Sequence, residues 1–185
     1  MTDISEFEKK IGVEFKNKDM LLQALTHRSY LNENTKWHLD HNERLEFLGD
    51  AVLELVVTDY LYNNYPNPEG ELTNWRAAIV NAVILAKICD KFNLNDYILL
   101  SRGEAKDVGR ARQYILANAI EALIGAIYLD QGYKKAEEFI SRFVIEELPT
   151  IIEQKTYRDP KSKFQEEAQD RVGITPTYEV LKEWG

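Results

Sequence analysis

The segment from His41 to Tyr62, HNERLEFLGDAVLELVVTDYLY, constrains this chain more than any other, because it sets Glu43, Glu46, Asp50 and Glu54 at helical spacing on an otherwise apolar run. At about 100° per residue the four carboxylates fall within an arc of about 80°, while Leu45, Leu48, Val52, Leu55 and Val56 gather on the opposite side. Carboxylates crowded on one helix face repel one another and lose hydration when half buried, so the pattern calls for cations among them, and a divalent ion is the natural occupant. An acidic helix face is ordinarily solvated surface. Here Phe47 shares the acidic side and Leu53 and Val57 flank it. Almost no ordinary wet surface is left, which predicts a buried central helix whose aromatic residue is covered by a partner subunit. The pattern points to a metal-dependent hydrolase with its site at a dimer interface.

The chain has 185 residues and 44% hydrophobic content, enough for one ordinary domain with a proper core and a small remainder. Its one cysteine, Cys89, excludes an internal disulfide and a cysteine-based zinc motif, and reads as a core thiol in a reducing compartment. The N-terminus MTDISEFEKK is charged and lacks the apolar core of a secretory signal. The most apolar helix, Ile115 to Leu129, is too short to span a bilayer and contains Glu121. The expectation is a cytoplasmic protein that meets no membrane.

Periodicity predicts an all-α succession of helices with short connections. Helices are expected over Ile4 to Ile11, Asp19 to His27, the acidic segment ending before Tyr65-Pro66-Asn67-Pro68, about Leu72 to Phe92, Gln113 to Leu129 and Lys134 to Glu153. The stretch NLNDYILLSRGEAKDVGRAR is the longest irregular one. The helix from Gln113 brings Asn118 and Glu121 together on one surface, three residues apart, with Leu116, Ile120, Leu123, Ile124 and Ile127 as its apolar face. Gly125 costs helix stability, which predicts a close approach of another backbone. Taken alone, an Asn and a Glu on a helix are surface residues. Paired with the face of Glu46 and Asp50, they form the second half of a site.

HNERLEFLGDAVL resembles the signature of the ribonuclease III family, the double-stranded RNA endonucleases. LLQALTHRSY, PEGELTNWRAAIVN, LSRGE and ILANAIEALIGAIYLDQG resemble further blocks of that family, in the same order. The resemblance divides the chain into a catalytic domain over 1–155, a linker over 156–160 and, over 161–185, the beginning of a double-stranded RNA-binding domain. It implies the helical ribonuclease III endonuclease fold followed by an incomplete α/β RNA-binding fragment. It further implies that Glu46, Asn118 and Glu121 hold metal, that Asp50 and Glu121 are catalytic, and that Glu43 and Glu69 complete an acidic valley between subunits. Phe47 matches the aromatic residue that docks into the neighbouring subunit. Asn118 stands where the family pattern has Asp; an amide oxygen still ligates Mg²⁺ but brings no charge, so the ion is held less tightly.

The implied activity is hydrolysis of double-stranded RNA by a homodimer, each site cutting one strand to leave staggered ends with 5′-phosphates and 3′-hydroxyls, on ribosomal, transfer and messenger precursors. Mg²⁺, with Mn²⁺ as a substitute, suits a shell of carboxylates, amide and water and supplies what phosphodiester hydrolysis needs, so no catalytic His is required. His27 reads as structural, and His38 and His41 as loop and helix-entry residues. The formal net charge of -8, from 31 acids and 23 bases, runs against nucleic-acid binding unless metal and local basic surface compensate. Candidates for that surface are Arg102, Lys106, Arg110 and Arg112, with Lys161, Lys163 and Arg171 near the C-terminus. The tail reads as one helix opened by Pro160 and one strand over Thr175 to Trp184, too little to bury a sheet face, and predicts truncation and weakened duplex affinity. Asn118 and that tail leave a competing expectation, a catalytically weak or inactive duplex-binding and dimerisation module. A helical phosphohydrolase of the His-Asp type is disfavoured because no His-Asp dipeptide occurs.

Overall fold

The computed structural model describes residues 3–154, 160–179 and 182, the side chains of 160–163 and 166 excepted. Over these residues the chain is all-α, as its periodicity predicts, and strand-like pairing is limited to an isolated bridge between Thr26 and Leu99.

Helix α1 (Ile4–Ile11) starts where Asp3 accepts from the Ser5 N–H and ends at Gly12 in the left-handed region. Asn17 caps α2 (Lys18–Ala24), which starts one residue earlier than the Asp19 expected. That helix also stops short of His27, because His27 caps a separate helix, α3 (Arg28–Glu33). The corner between them is held by Leu99, which donates to Leu25 O (2.8 Å) and accepts from the His27 N–H (3.0 Å). The acidic segment forms α4 (Glu43–Asn64), closed before Pro66 as expected. The helix expected from Leu72 to Phe92 is two, α5 (Glu69–Ile79) and α6 (Ala82–Asp90), bent by 48°. Asn81 forces the break: its side-chain oxygen accepts from the N–H groups of Val83 and Ile84 and starts α6 afresh.

Helix α7 (Arg110–Gln131) begins three residues ahead of Gln113. The helix expected over Lys134 to Glu153 is also two, α8 (Tyr133–Phe143) and α9 (Leu148–Gln154), joined by a 3-10 turn at Ile145–Glu147. Pro149, which has no N–H to donate, fits the first turn of a new helix and not the middle of an old one. Pro160 opens α10 (Pro160–Val172) as expected. The strand expected from Thr175 does not form over 174–179, and 180, 181 and 183–185 lie outside the described residues, as do 156–159 of the expected linker. A lone strand has nothing to pair with.

Helix α7 is the axis of the core: Ala119, Ile120, Ala122, Leu123, Ile124, Ala126 and Ile127 are all fully buried. Helices α2, α4, α6 and α8 pack around it, α4 most extensively. Gly49 and Gly125 set that crossing. A Cβ on Gly49 would land on the Glu121 carbonyl oxygen and 2.8 Å from Gly125 N, and one on Gly125 would land on the Leu45 carbonyl oxygen. The close approach expected at Gly125 is therefore with α4, glycine against glycine. This contact rotates the buried face of α4 toward Gly49 and Leu53 and corrects the all-round burial expected: Leu55 is 56% exposed, on an open side shared with Phe47 and Tyr62. Among the described residues no single helix is long and apolar enough to cross a membrane; α5 and α6 together pass on length and composition but are bent.

Candidate active site

The crossing of α4 and α7 carries the carboxylates. Glu46 and Asp50 lie one turn apart on α4 beside Gly49, and Glu121 and Asn118 lie on the adjoining turn of α7. Glu46, Asn118 and Glu121 are half-buried, whereas Asp50 is exposed at the mouth. Burial pushes the Glu121 carboxyl up to about 8, with the charges of Asp50 and then Glu46 adding to it. Burial also raises Glu46, followed by repulsion from Glu43 and Asp50. The two halves foreseen from the sequence thus sense each other's charge.

Protein cations pair with two further acids of α4, Glu54 and Glu43. Arg76 of α5 pairs with Glu54 (2.9 Å) and donates to Thr58 Oγ1 (3.0 Å), so the fourth carboxylate of the helical arc is neutralised by a guanidinium and leaves the cluster. Glu43 is exposed, 3.4 Å from Arg28, and its backbone N–H donates to His41 Nδ1 (3.4 Å). No ion pair or side-chain hydrogen bond reaches the carboxylates of Glu46, Asp50 or Glu121 among the described residues. Nor do three His, Cys, Asp or Glu side chains form a ready-made metal cage there. Unpaired carboxylates spread apart, and Mg²⁺ does not demand a cage: it takes one or two carboxylates and keeps several waters. Glu46 and Glu121, with the amide oxygen of Asn118, fit that hard oxygen donor set.

Glu69 is not brought to this cluster within one protomer. It accepts from Thr73 Oγ1 (2.9 Å) and borders a groove of about 570 Å³ lined also by Leu61, Tyr62, Tyr65, Leu72 and Arg76. That groove lies beside the C-terminal turns of α4, roughly 15 residues or about 22 Å of helix beyond Glu46. Phe47, at 82% exposure, is the most exposed aromatic residue of α4 and projects from the acidic end.

Arg102 and Lys106 are exposed on the loop entering α7 and Arg110 on its first turn, with Glu104 and Asp107 in the same stretch. Arg112 does not join them, since its guanidinium donates to Asn95 Oδ1 (2.7 Å) and Glu104 O (3.5 Å) and ties the loop down. Arg171 pairs with Glu167 (3.7 Å), and the side chains of Lys161 and Lys163 fall outside the described ones. His27 is structural, as expected: its Nδ1 meets Ser29 Oγ (2.8 Å) at the start of α3, and burial lowers its pKa. Cys89 is buried against the carbonyls of Leu85 and Leu116, and burial pushes its thiol far up, which leaves it inert. Two contributors escaped the sequence reading: Gly49, which lets the carboxylates meet, and Arg28, which pairs with Glu43. Gly in an otherwise strong helix was the available signal for the first; nothing in the periodicity marks the second.

The sequence model of the ribonuclease-III-like family matches residues 17–148. Ribonuclease 3 of Natranaerobius thermophilus is 46% identical over 99% of this chain and 79% of its own length, and that of Nitratiruptor sp. is 43% identical over 98% and 78%. Among solved structures, the nuclease domain of ribonuclease III from Campylobacter jejuni, described as flexible in a region involved in dimer formation, superimposes with a TM-score of 0.71 at 42% identity. The match covers 80% of this chain and 99% of that one. Dicer from Pichia stipitis, at 23% identity and a TM-score of 0.56, shares the fold.

Proposed function

Because this chain belongs to the ribonuclease III family and is thereby an endoribonuclease, we propose that it hydrolyses double-stranded RNA as a Mg²⁺-dependent homodimer. The observation that carries this reading is the set Glu46, Asp50 and Glu121, placed where two glycines let α4 and α7 touch and left without a protein cation among the described residues. Carboxylates that share a half-buried site without a partner disfavour one another's charged form, and a bound cation relieves that cost.

In this reading Glu46, Glu121 and the Asn118 oxygen hold Mg²⁺, and Mn²⁺ substitutes. The ion supplies charge neutralisation at the scissile phosphate and a more acidic water. Asp50, exposed beside the pair, accepts hydrogen bonds from the attacking water and orients its oxygen toward phosphorus. The bond that breaks is P–O3′; the 3′ oxygen leaves with a proton, giving a 3′-hydroxyl and a 5′-phosphate. Arg102, Lys106 and Arg110, with Lys161 and Lys163 from the tail, draw the duplex by its phosphates, and the wide minor groove with its 2′-hydroxyls selects RNA.

Exposed Phe47 seeks cover, and the groove beside Glu69 offers apolar walls, from Leu61, Tyr62, Tyr65 and Leu72, with room for it on a second copy. Seating Phe47 there sets Glu69 of the partner subunit beside Glu43, which completes the acidic valley that one protomer lacks. Two such sites cut the two strands with a stagger. Ribosomal, transfer and messenger precursors are the expected natural substrates.

The test is incubation of the purified protein with a long RNA duplex and Mg²⁺, comparing wild type with Glu121→Ala. Wild type is expected to cut the duplex and spare single strands, and the variant to cut neither. Binding without cutting across a wide range of Mg²⁺ and Mn²⁺ would overturn the hydrolytic reading in favour of a duplex-binding module, the alternative that neutral Asn118 keeps open.

A further inference from the structure

We infer that Asn42 is a positioning residue, which fixes where along α7 the carboxylate of Glu46 stands; this rests on the reading of Glu46 and Glu121 as joint holders of a divalent ion. Asn42 is the N-cap residue of α4, and Asn is among the side chains that ordinarily cap a helix by accepting from its first N–H groups. Here it makes no such bond. Its side chain turns back, and Nδ2 donates to Ala24 O at the end of α2 (3.2 Å), while its own N–H donates to Thr26 O (2.9 Å). Its carbonyl accepts the first helical bond of α4, from the Glu46 N–H (2.9 Å). Asn42 is only 3% exposed, one of few buried polar residues in the protein. Asn42 already has helical backbone angles (φ -82°, ψ -10°), the Glu43 N–H at the start of α4 donates to His41 Nδ1 instead, and the Asn42 amide is spent on a tether to another helix.

The crossing explains what the tether is for. The Gly49–Gly125 contact sets the spacing of α4 and α7, and the tether fixes the point along the axis from which α4 starts. A slip of one residue moves Glu46 by about 1.5 Å, against a metal–oxygen distance of about 2.0–2.1 Å for Mg²⁺. Helix α2 is a firm anchor against such a slip. Its leading loop is clasped by Asp130 at the end of α7, which accepts from the N–H groups of Lys16 (2.8 Å) and Asn17 (2.9 Å). Asn42 therefore closes a loop of contacts from α7 through α2 to α4, one turn before Glu46.

Asn42→Ser tests this, because serine is polar and tolerated at a helix start but is too short to reach Ala24 O. Thermal unfolding, Mn²⁺ binding to the RNA-free protein followed by electron paramagnetic resonance, and duplex cleavage are measured together. The variant is expected to unfold cooperatively, to bind Mn²⁺ at least about tenfold more weakly and to lose roughly 10²-fold in kcat, the cost of an ångström-scale misplacement. KM for duplex stays as in wild type, because Arg102, Lys106 and Arg110 are untouched, and raised Mn²⁺ restores part of kcat. Unchanged Mn²⁺ affinity, whether or not stability falls, overturns the inference. So does failure of both Asn42→Ser and Asn42→Thr to fold, which makes the residue purely structural. Wild type that binds no Mn²⁺ would overturn the parent reading of the site, and this inference with it.

Discussion

Replacing Gly49 by alanine puts a single methyl group into the one place where the site has no room. The added carbon falls on the Glu121 carbonyl oxygen, 2.6 Å from Glu121 C and 2.8 Å from Gly125 N, all backbone atoms that cannot swing aside. Ordinary carbon contacts need about 3.5–4.0 Å, so α4 and α7 must part by about 1 Å or more. Overpacking of this kind costs typically about 1–3 kcal/mol, and rigid backbone on the far side argues for the upper end. Against it, alanine is the better helix former by roughly 1 kcal/mol. The net is about 2 kcal/mol of destabilisation, a fall in Tm of about 4–8 °C for a chain of this size. Cleavage is expected to fall further than stability does. Glu46 and Asp50 ride on one helix and Asn118 and Glu121 on the other, so about 1 Å of separation costs roughly 10²-fold in kcat. Calorimetry and Mg²⁺-dependent duplex cleavage at a temperature where the variant is folded give both readings. An unchanged Tm, or a lower Tm with undiminished kcat, would refute the crossing as the device that assembles the site.

Phe47→Ala removes the proposed anchor of the dimer without touching the core; burying a Phe is worth about 1.5–3 kcal/mol, so light scattering is expected to show dissociation at concentrations where wild type is dimeric, with the monomer's helicity intact. In metal-free protein Glu121 holds its proton up to about pH 8, whereas its ordinary value is 4.5. Between those values the folded chain keeps a proton that the unfolded chain has released, so stability falls as pH rises through that window. The Tm of chelator-treated wild type should therefore drop more steeply across it than that of Glu121→Gln, and parallel curves would contradict the assignment. Asn118→Asp adds a charged ligand: half-maximal cleavage is expected at lower Mg²⁺, and Tm in chelator at neutral pH is expected to fall, since a further carboxylate joins an unpaired cluster.

How far the sequence discloses the fold and site depends on the range of the interactions involved. Helix-period spacing is local, so the pairing of Glu46 with Asp50 and of Asn118 with Glu121 is readable from the chain, and Gly125 announces a close approach. The partner of that approach, Gly49, is set only by the crossing. Glu54 shares the acidic arc with the site residues, yet Arg76, more than 20 positions away, claims it. Breaks between α5 and α6 and between α8 and α9 lie within unbroken apolar patterns, and their local signals, Asn81 as a cap and Pro149 in a first turn, are weaker than the periodicity that hides them. Asn42 has a residue type that suits its place at a helix start, but its side-chain hydrogen bond runs to α2 instead of into α4. Three-dimensional packing decides each of these.

The most direct test of the account is a crystal structure of the protein soaked in Mn²⁺, read by anomalous scattering. The account predicts anomalous density in each protomer at the crossing of α4 and α7, with oxygens of Glu46, Glu121 and Asn118 around it. No peak there, or Mn²⁺ bound elsewhere while duplex is still cut, would contradict it.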